Sequence, residues 1–302
     1  MILSVGEILV DMIGCERNGV FAYERKAGGA PFNVACAVKR FGAESAFVGC
    51  VGGDIIGDYL VKFAQSRSLD YCLVARNDAV NTTLAFVDID PSGERSFCFY
   101  RKNTADYTLP EIPDEVILSS SIVHIGSLML SEKVGAEYAA RLADRAHALG
   151  KTVSFDVNFR TDIFRDKAAA VKAYSVMLEK ADIVKFSEDE TAVFTEKYIE
   201  EKLGGKLVCI SLGGAGSEWR FNGRRDRAAS ISVKPVDTTG AGDAFYAGVL
   251  SRLDGTQAKD WTDEFLNGVL RFGNVCGALN TLGRGAIDCL PTLDQIEQKL
   301  HS

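Results

Sequence analysis

Histidine is nearly absent from this chain: His124, His147 and His301 are the only three in 302 residues, and they form no cluster. That scatter argues against a histidine-built metal centre. The eight cysteines (15, 36, 50, 72, 98, 209, 276 and 289) include no C-x-x-C pair. Most lie in apolar runs, so they read as buried thiols in a reducing, cytoplasmic setting, not as a disulfide framework or a zinc site. No run approaches the ~18 uncharged apolar residues of a membrane span. The opening residues through Asp11 have no basic segment and are interrupted by Glu7, so they read as a first buried strand rather than a signal peptide. Positive charge is in deficit, with a formal net charge of −7. This argues against a nucleic-acid partner gripped through its phosphates, although local basic residues can still bind a small anion. No G-x-G-x-x-G follows the first strand, which removes support for a dinucleotide-dependent dehydrogenase.

The remaining composition is that of a globular protein, 47% hydrophobic and 25% charged. Short apolar segments at 2–10, 46–51, 121–126, 152–156, 182–185 and 206–211 suit strands covered on both faces. Helical spacing recurs at about 32–41, 56–67, 132–149, 166–180, 188–197, 241–253 and 261–280. This rhythm predicts a doubly wound, mainly parallel α/β sheet, with residues 1–302 as one unit. Asn222-Gly223 marks a hairpin near its end. Residues 82–89 and 95–101 break the rhythm. They form two β-type runs joined by Asp90-Pro91-Ser92-Gly93-Glu94, an antiparallel hairpin that residues 11–25 could extend.

The most informative stretch is Asp237-Thr238-Thr239-Gly240-Ala241-Gly242-Asp243-Ala244-Phe245. Gly240 and Gly242 allow a sharp turn and close approach to a ligand, and an apolar helical run follows. Free N–H groups and the positive end of the helix dipole there favour an anion. Asp243 would face whatever that anion reacts with, at a carboxyl pKa held low by the dipole. Taken alone, the string also fits a glycine-rich turn whose aspartate merely complements the dipole.

The full string resembles the C-terminal signature of the ribokinase-like carbohydrate kinases, the phosphofructokinase-B family. Gly28-Gly29-Ala30-Pro31-Phe32-Asn33, running on to Gly49-Cys50-Val51-Gly52-Gly53-Asp54, resembles the N-terminal one. The two strings stand in the family's order, and the resemblance covers essentially the whole chain. It implies a ribokinase-like fold whose small β-sheet lid, from about 11–26 and 81–102, covers a sugar site; without it, the hairpin is a plain edge feature. It also implies ATP and Mg²⁺. Asp243 becomes the proton acceptor, with Gly240, Ala241, Gly242 and Arg160 stabilising the moving phosphoryl.

The resemblance places Asp11, Gly28, Gly29, Asn33, Phe99, Arg101 and Asp243 at the sugar. Taken singly, Asp11 reads as a solvated loop acid and Asn33 as a helix cap. Arg95, Phe97, Phe99 and Arg101 share one face of a strand by alternation, which also fits a small hydrophobic face with exposed ends. Asn158 and Arg160, in Asp156-Val157-Asn158-Phe159-Arg160, resemble the family's D-x-N-x-R segment near the phosphates. Ser187 and Glu190 stand where relatives carry N-x-x-E, which organises magnesium through water; Ser187 departs from that asparagine. Ser211, Gly213, Gly216 and Asn274, with Gly240 and Gly242, are carried over to the nucleotide. Asp237 and Thr239 match a monovalent-cation (K⁺) position of some relatives, and lid-to-lid homodimers occur among them.

The leading expectation is a kinase moving the γ-phosphoryl of Mg-ATP to the 6-hydroxyl of fructose. The runner-up is a 2-keto-3-deoxygluconate kinase or another sugar kinase of the family. A catalytically silent sugar-sensing member stands further off, since Asp243 and the glycine cradle are intact.

Overall fold

The computed structural model describes residues 1–89, 95–160, 163–164 and 166–301. The turn expected at 90–94 and the side chains of Arg95 and Phe97 lie outside the described residues. The chain opens with strand β1 (Ile2–Val5), then β2 (Leu9–Arg17), β3 (Val20–Gly28) and helix α1 (Ala30–Arg40). It continues through β4 (Ser45–Gly52), α2 (Ile55–Gln65), β5 (Tyr71–Asn77), β6 (Leu84–Ile89) and β7 (Arg95–Tyr100). The middle comprises α3 (Asp114–Leu118), β8 (Ile122–Ile125), α4 (Lys133–Ala148), β9 (Thr152–Asp156), α5 (Lys167–Lys180) and β10 (Ile183–Ser187). The remainder is α6 (Glu188–Phe194), α7 (Glu196–Leu203), β11 (Leu207–Ser211), β12 (Ser217–Phe221), β13 (Arg224–Ala228), α8 (Ala241–Leu253), α9 (Asp263–Asn280) and α10 (Leu293–Leu300).

Nine strands form the main sheet in the order β13-β12-β11-β10-β9-β8-β1-β4-β5. The pairs from β11 to β5 are parallel, and β12 and β13 add an antiparallel hairpin at one edge. The sheet is buried on both faces because its strands alternate between two apolar clusters. In β10, Ile183 joins the cluster holding Phe32, Tyr246 and Leu250, while Val184 and Phe186 join the one holding Leu142, Tyr174 and Met177. From β1 the chain moves to β4 and β5 on one side and returns to β8 on the other. The carboxyl ends of β1 and β8 therefore open a crevice at a topological switch point.

A four-stranded sheet, β3-β2-β6-β7, stands apart from the main one. It is mixed: β2 pairs antiparallel with β3 but parallel with β6. The expected 2–10 strand is accordingly two strands in different sheets, broken at Gly6 with φ 152. Thr195, at φ 64, likewise splits the expected 188–197 helix. The half-exposed edge strand β5 carried too little apolar alternation to stand out in the sequence. Of the cysteines, 36, 50, 209 and 276 are buried, but 72 and 98 are exposed and all eight are free, so burial holds for only part of the set. Among the described residues, no helix is long and apolar enough to cross a membrane.

Glycines let α8 and α9 approach closely. A Cβ on Gly248 would stand 2.9 Å from Cys276 Sγ and 3.0 Å from the Gly273 Cα. Gly268, on the exposed side of α9, has nothing within 4 Å of such a Cβ. Gly248→Ala is expected to destabilise by about 1–3 kcal/mol through overpacking. Gly268→Ala is expected to stabilise by about 0.4–1 kcal/mol through helix propensity and a stiffer unfolded chain. Urea unfolding of the two variants reads both signs.

Candidate active site

Helix α8 starts where the chemistry concentrates. Gly240 caps it with φ 74, and a Cβ there would lie 2.4 Å from the Ala286 side chain, so the turn requires glycine. Asp237 locks this turn to the following loop: its Oδ1 accepts the Thr239 N–H at 2.8 Å and its Oδ2 the Gly285 N–H at 3.0 Å. The Ala241 N–H donates to the Thr238 carbonyl at 3.2 Å, and among the described residues no partner accepts from the Gly242 and Asp243 N–H groups, which remain available to a ligand.

Two cavities meet at this helix end. One, of about 340 Å³, is lined by Asp11, Gly29, Asn33, Phe99, Asn158, Arg160, Thr239, Gly240, Gly242 and Asp243, with Glu7, Leu9, Leu128 and Lys185. The other, of about 450 Å³, is lined by Ser211, Gly213, Gly216, Ala241, Gly242, Phe245 and Asn274. Thr238 and Gly242 belong to both. Residues drawn from opposite ends of the chain thus converge on one turn.

Asp243 faces the smaller cavity, and its Oδ2 accepts a 2.8 Å hydrogen bond from Asn33 Nδ2. Burial raises its pKa above the usual aspartate value, against the opposing effects of Asn33, Lys185 and Arg160. This direction is opposite to the low pKa expected from the helix dipole, and desolvation of the carboxylate is its largest cause. Asn33 sits on α1, whose start is set by Gly29 at φ 108 and by Glu7 Oε1 accepting the Ala30 N–H at 3.2 Å. Gly28 does not line the cavity; a Cβ on it would stand 2.4 Å from Asp11 Oδ2, so its bareness makes room for that carboxylate.

Arg101 has a different place from the one expected. It lies just beyond β7, is only 5% exposed and does not line the cavity. Its Nε donates to Asp106 Oδ2 at 2.7 Å, and Nη2 donates to the same oxygen. Its Nη1 donates to Tyr107 Oη at 2.7 Å, the Leu128 carbonyl at 2.6 Å and Ser131 Oγ at 3.0 Å. The guanidinium ties the small sheet to the segment after β8, so strand alternation misled where the strand ends.

Asn158, at φ 36, and Arg160 line the smaller cavity rather than the larger. Ser187 lines neither. It caps α6 in a reciprocal box with Glu190, accepting from the Glu190 N–H at 3.3 Å while Glu190 Oε2 accepts from the Ser187 N–H at 2.6 Å. Glu190 Oε1 accepts the Phe159 N–H at 2.6 Å, so both carboxylate oxygens carry a backbone partner. Asn274 donates to the Ala228 and Ala229 carbonyls at the wall of the larger cavity.

Glu7 and Lys185 were absent from the sequence-derived site. Glu7 is 1% exposed, and burial pushes its pKa up to about 7 against the pull of Arg101. Lys185 is 6% exposed and paired with Asp156 at 3.0 Å. Each interrupts an apolar strand-like run, which is the signal that marked them: a charge there is either paired or functional.

The model of the pfkB family of carbohydrate kinases matches residues 1–293. Probable fructokinase-7 of Arabidopsis thaliana is 34% identical over all of this chain and 93% of its own length. Fructokinase-1 of Zea mays is 33% identical over all of this chain and 98% of its own. A fructokinase from Xylella fastidiosa with bound ATP superposes with a TM-score of 0.87 at 29% identity, covering all of this chain and 99% of that one. One from Vibrio cholerae, with fructose, ADP and calcium, gives 0.84 at 28% identity, covering 98% and 97%. This chain belongs to the pfkB family of carbohydrate kinases.

Proposed function

We propose that the chain transfers the γ-phosphoryl of Mg-ATP to the 6-hydroxyl of fructose. The observation that carries this reading is the junction of two cavities at the α8 N-terminus, with Asp243 on one side of the amide cradle. The smaller cavity takes the sugar and the larger one the nucleotide. The sugar O6 bonds to the γ-phosphorus as the bond from that phosphorus to the β–γ bridging oxygen breaks. ADP leaves with the bonding pair, and the hydroxyl proton passes to Asp243. Asn33 orients the accepting carboxylate, and the 240–242 amides meet charge on the transferred group.

Magnesium would reduce the repulsion between phosphates and the incoming oxygen. The residues fit an ion held mainly by phosphate oxygens and water: Glu190 keeps one lone pair per oxygen for that water layer while its backbone contacts hold it still. Asp237 and Thr239 are the corresponding monovalent-cation candidates, and a Vibrio cholerae fructokinase variant carries a potassium ion with fructose and ADP. The small sheet, contributing Asp11 and Phe99 to the cavity wall, acts as the lid. Its exposed Val20, Phe21 and Tyr100 support a homodimer through that sheet, and the free cysteines support a cytoplasmic setting.

A neutral ketose is favoured over a keto-deoxy sugar acid. A substrate carboxylate needs a cation at the sugar end. Among the described residues the cations lining the cavity, Lys185 and Arg160, both act on Asp243, and Arg101 is held by Asp106. A screen with Mg-ATP should give turnover on fructose; turnover on the sugar acid alone would reverse this choice and leave the kinase reading intact.

Asp243→Asn is expected to lower kcat by ~10²–10⁴ with fructose affinity little changed, read by coupled assay and calorimetry. Arg101→Ala is expected to lower stability by about 3–5 kcal/mol, because it leaves Asp106 buried without its partner; thermal unfolding measures it. The acid limb of kcat/KM should fall above the ordinary aspartate range, because the base must be ionised and its pKa is raised. Asn33→Ala removes a bond to the ionised form, so that limb should move to still higher pH.

A further inference from the structure

We infer that Lys185 is a catalytic residue, its ammonium contacting the phosphoryl group in transit; the inference rests on the kinase reading above. Lys185 lies on β10, with its side chain on the α8 face of the sheet. It lines the sugar-side cavity. A Cβ built on Gly242 would stand 3.3 Å from Lys185 Nζ and 3.9 Å from Cε. The ammonium therefore occupies the space beside the last residue of the amide cradle, which Gly242 leaves bare.

Its placement is rigid. Nζ lies 3.0 Å from each carboxylate oxygen of Asp156, a β9 residue on the neighbouring parallel strand in direct register with it. An ammonium carries three donors, and one carboxylate does not exhaust them. Burial works against the charge, but Asp156, Glu190 and Asp243 together raise the lysine pKa and keep it cationic. A fixed cation in a poorly hydrated site stabilises negative charge without reorganising when the reaction occurs.

Chemistry at the junction calls for such a group. As the oxygen–phosphorus bond forms and the bridging bond breaks, negative charge spreads over the phosphoryl oxygens. The amides at 240–242 supply partial charges only. Ser187, two residues further along the same strand, spends its hydroxyl on capping α6. Lys185 supplies a full charge at the cradle, and its proximity to Asp243 opposes the burial that raises that carboxyl's pKa.

The alternative account is a structural ion pair, and paired variants separate the two. Lys185→Met alone leaves the Asp156 carboxylate buried without its counter-ion. The double variant Lys185→Met/Asp156→Asn removes both charges. If the pair is structural, the double variant should restore stability and activity together. If Lys185 acts on the phosphoryl, the double variant should melt near the parent and bind fructose and ADP normally, with kcat still down by ~10²–10³. It should also lose the tightened binding of ADP with aluminium fluoride, a mimic of the group in transit, in the presence of fructose. A double variant with kcat within about threefold of the parent and intact binding of the mimic overturns the role of Lys185. Should the parent transfer phosphoryl to no sugar, the kinase reading itself fails.

Discussion

The two cavities and the residues of the proposed site converge on the first turn of α8. A helix end carries unpaired N–H groups by geometry, and this one is held open rather than capped by a side chain. Asp237 is spent on fixing the turn, binding Thr239 and Gly285, and the Ala241 N–H donates to the Thr238 carbonyl, so the open end of the helix is at Gly242 and Asp243. Because Thr238 and Gly242 border both spaces, the same few atoms can touch a nucleotide phosphate on one side and a sugar hydroxyl on the other. Moving this turn by an ångström would misalign an in-line transfer, which explains why so much surrounding structure braces it.

That bracing comes from three directions. From below, β9 and β10 bring the Asp156–Lys185 pair under Gly242. From the side, α1 presents Asn33 to Asp243, while its own start is pinned by Glu7 in the link between β1 and β2. From above, the small sheet contributes Asp11 and Phe99 and is anchored through Arg101 to Asp106, Tyr107 and the Leu128 carbonyl. The main sheet explains the convergence: β1, β9 and β10 are parallel, so their carboxyl ends open on the same edge. Charges concentrated there perturb one another, and Glu7 and Asp243 are both pushed upward by burial.

Much of this was legible in the chain. Apolar runs with helical and strand periods located the layered α/β core, and α8 begins and ends where its spacing placed it, at 241 and 253. The glycine-rich strings named the turn, and most of the residues tied to it do line the two cavities. What misled was local continuity. The apolar run at 2–10 looks unbroken, yet Gly6 turns it from one sheet into another. Alternation carried Arg101 onto a strand face, but the strand ends at Tyr100 and the guanidinium folds inward. Ser187 and Glu190, neighbours in a polar run, proved to satisfy each other in a capping box.

Backbone preferences and side-chain chemistry are properties of short segments, so the sequence alone decided where glycine must turn, which segments must be buried and which carboxylate follows the cradle. Distances between segments far apart in the chain are set by packing. Only the tertiary structure could bring Asn33 to within 2.8 Å of Asp243, across 210 residues. Only it could slide Lys185 beneath Gly242 and turn Arg101 away from the cavity. The pKa of Asp243 belongs to that second class as well. The helix end beside it is local, but the desolvation that raises its pKa comes from neighbours that meet only in the folded chain.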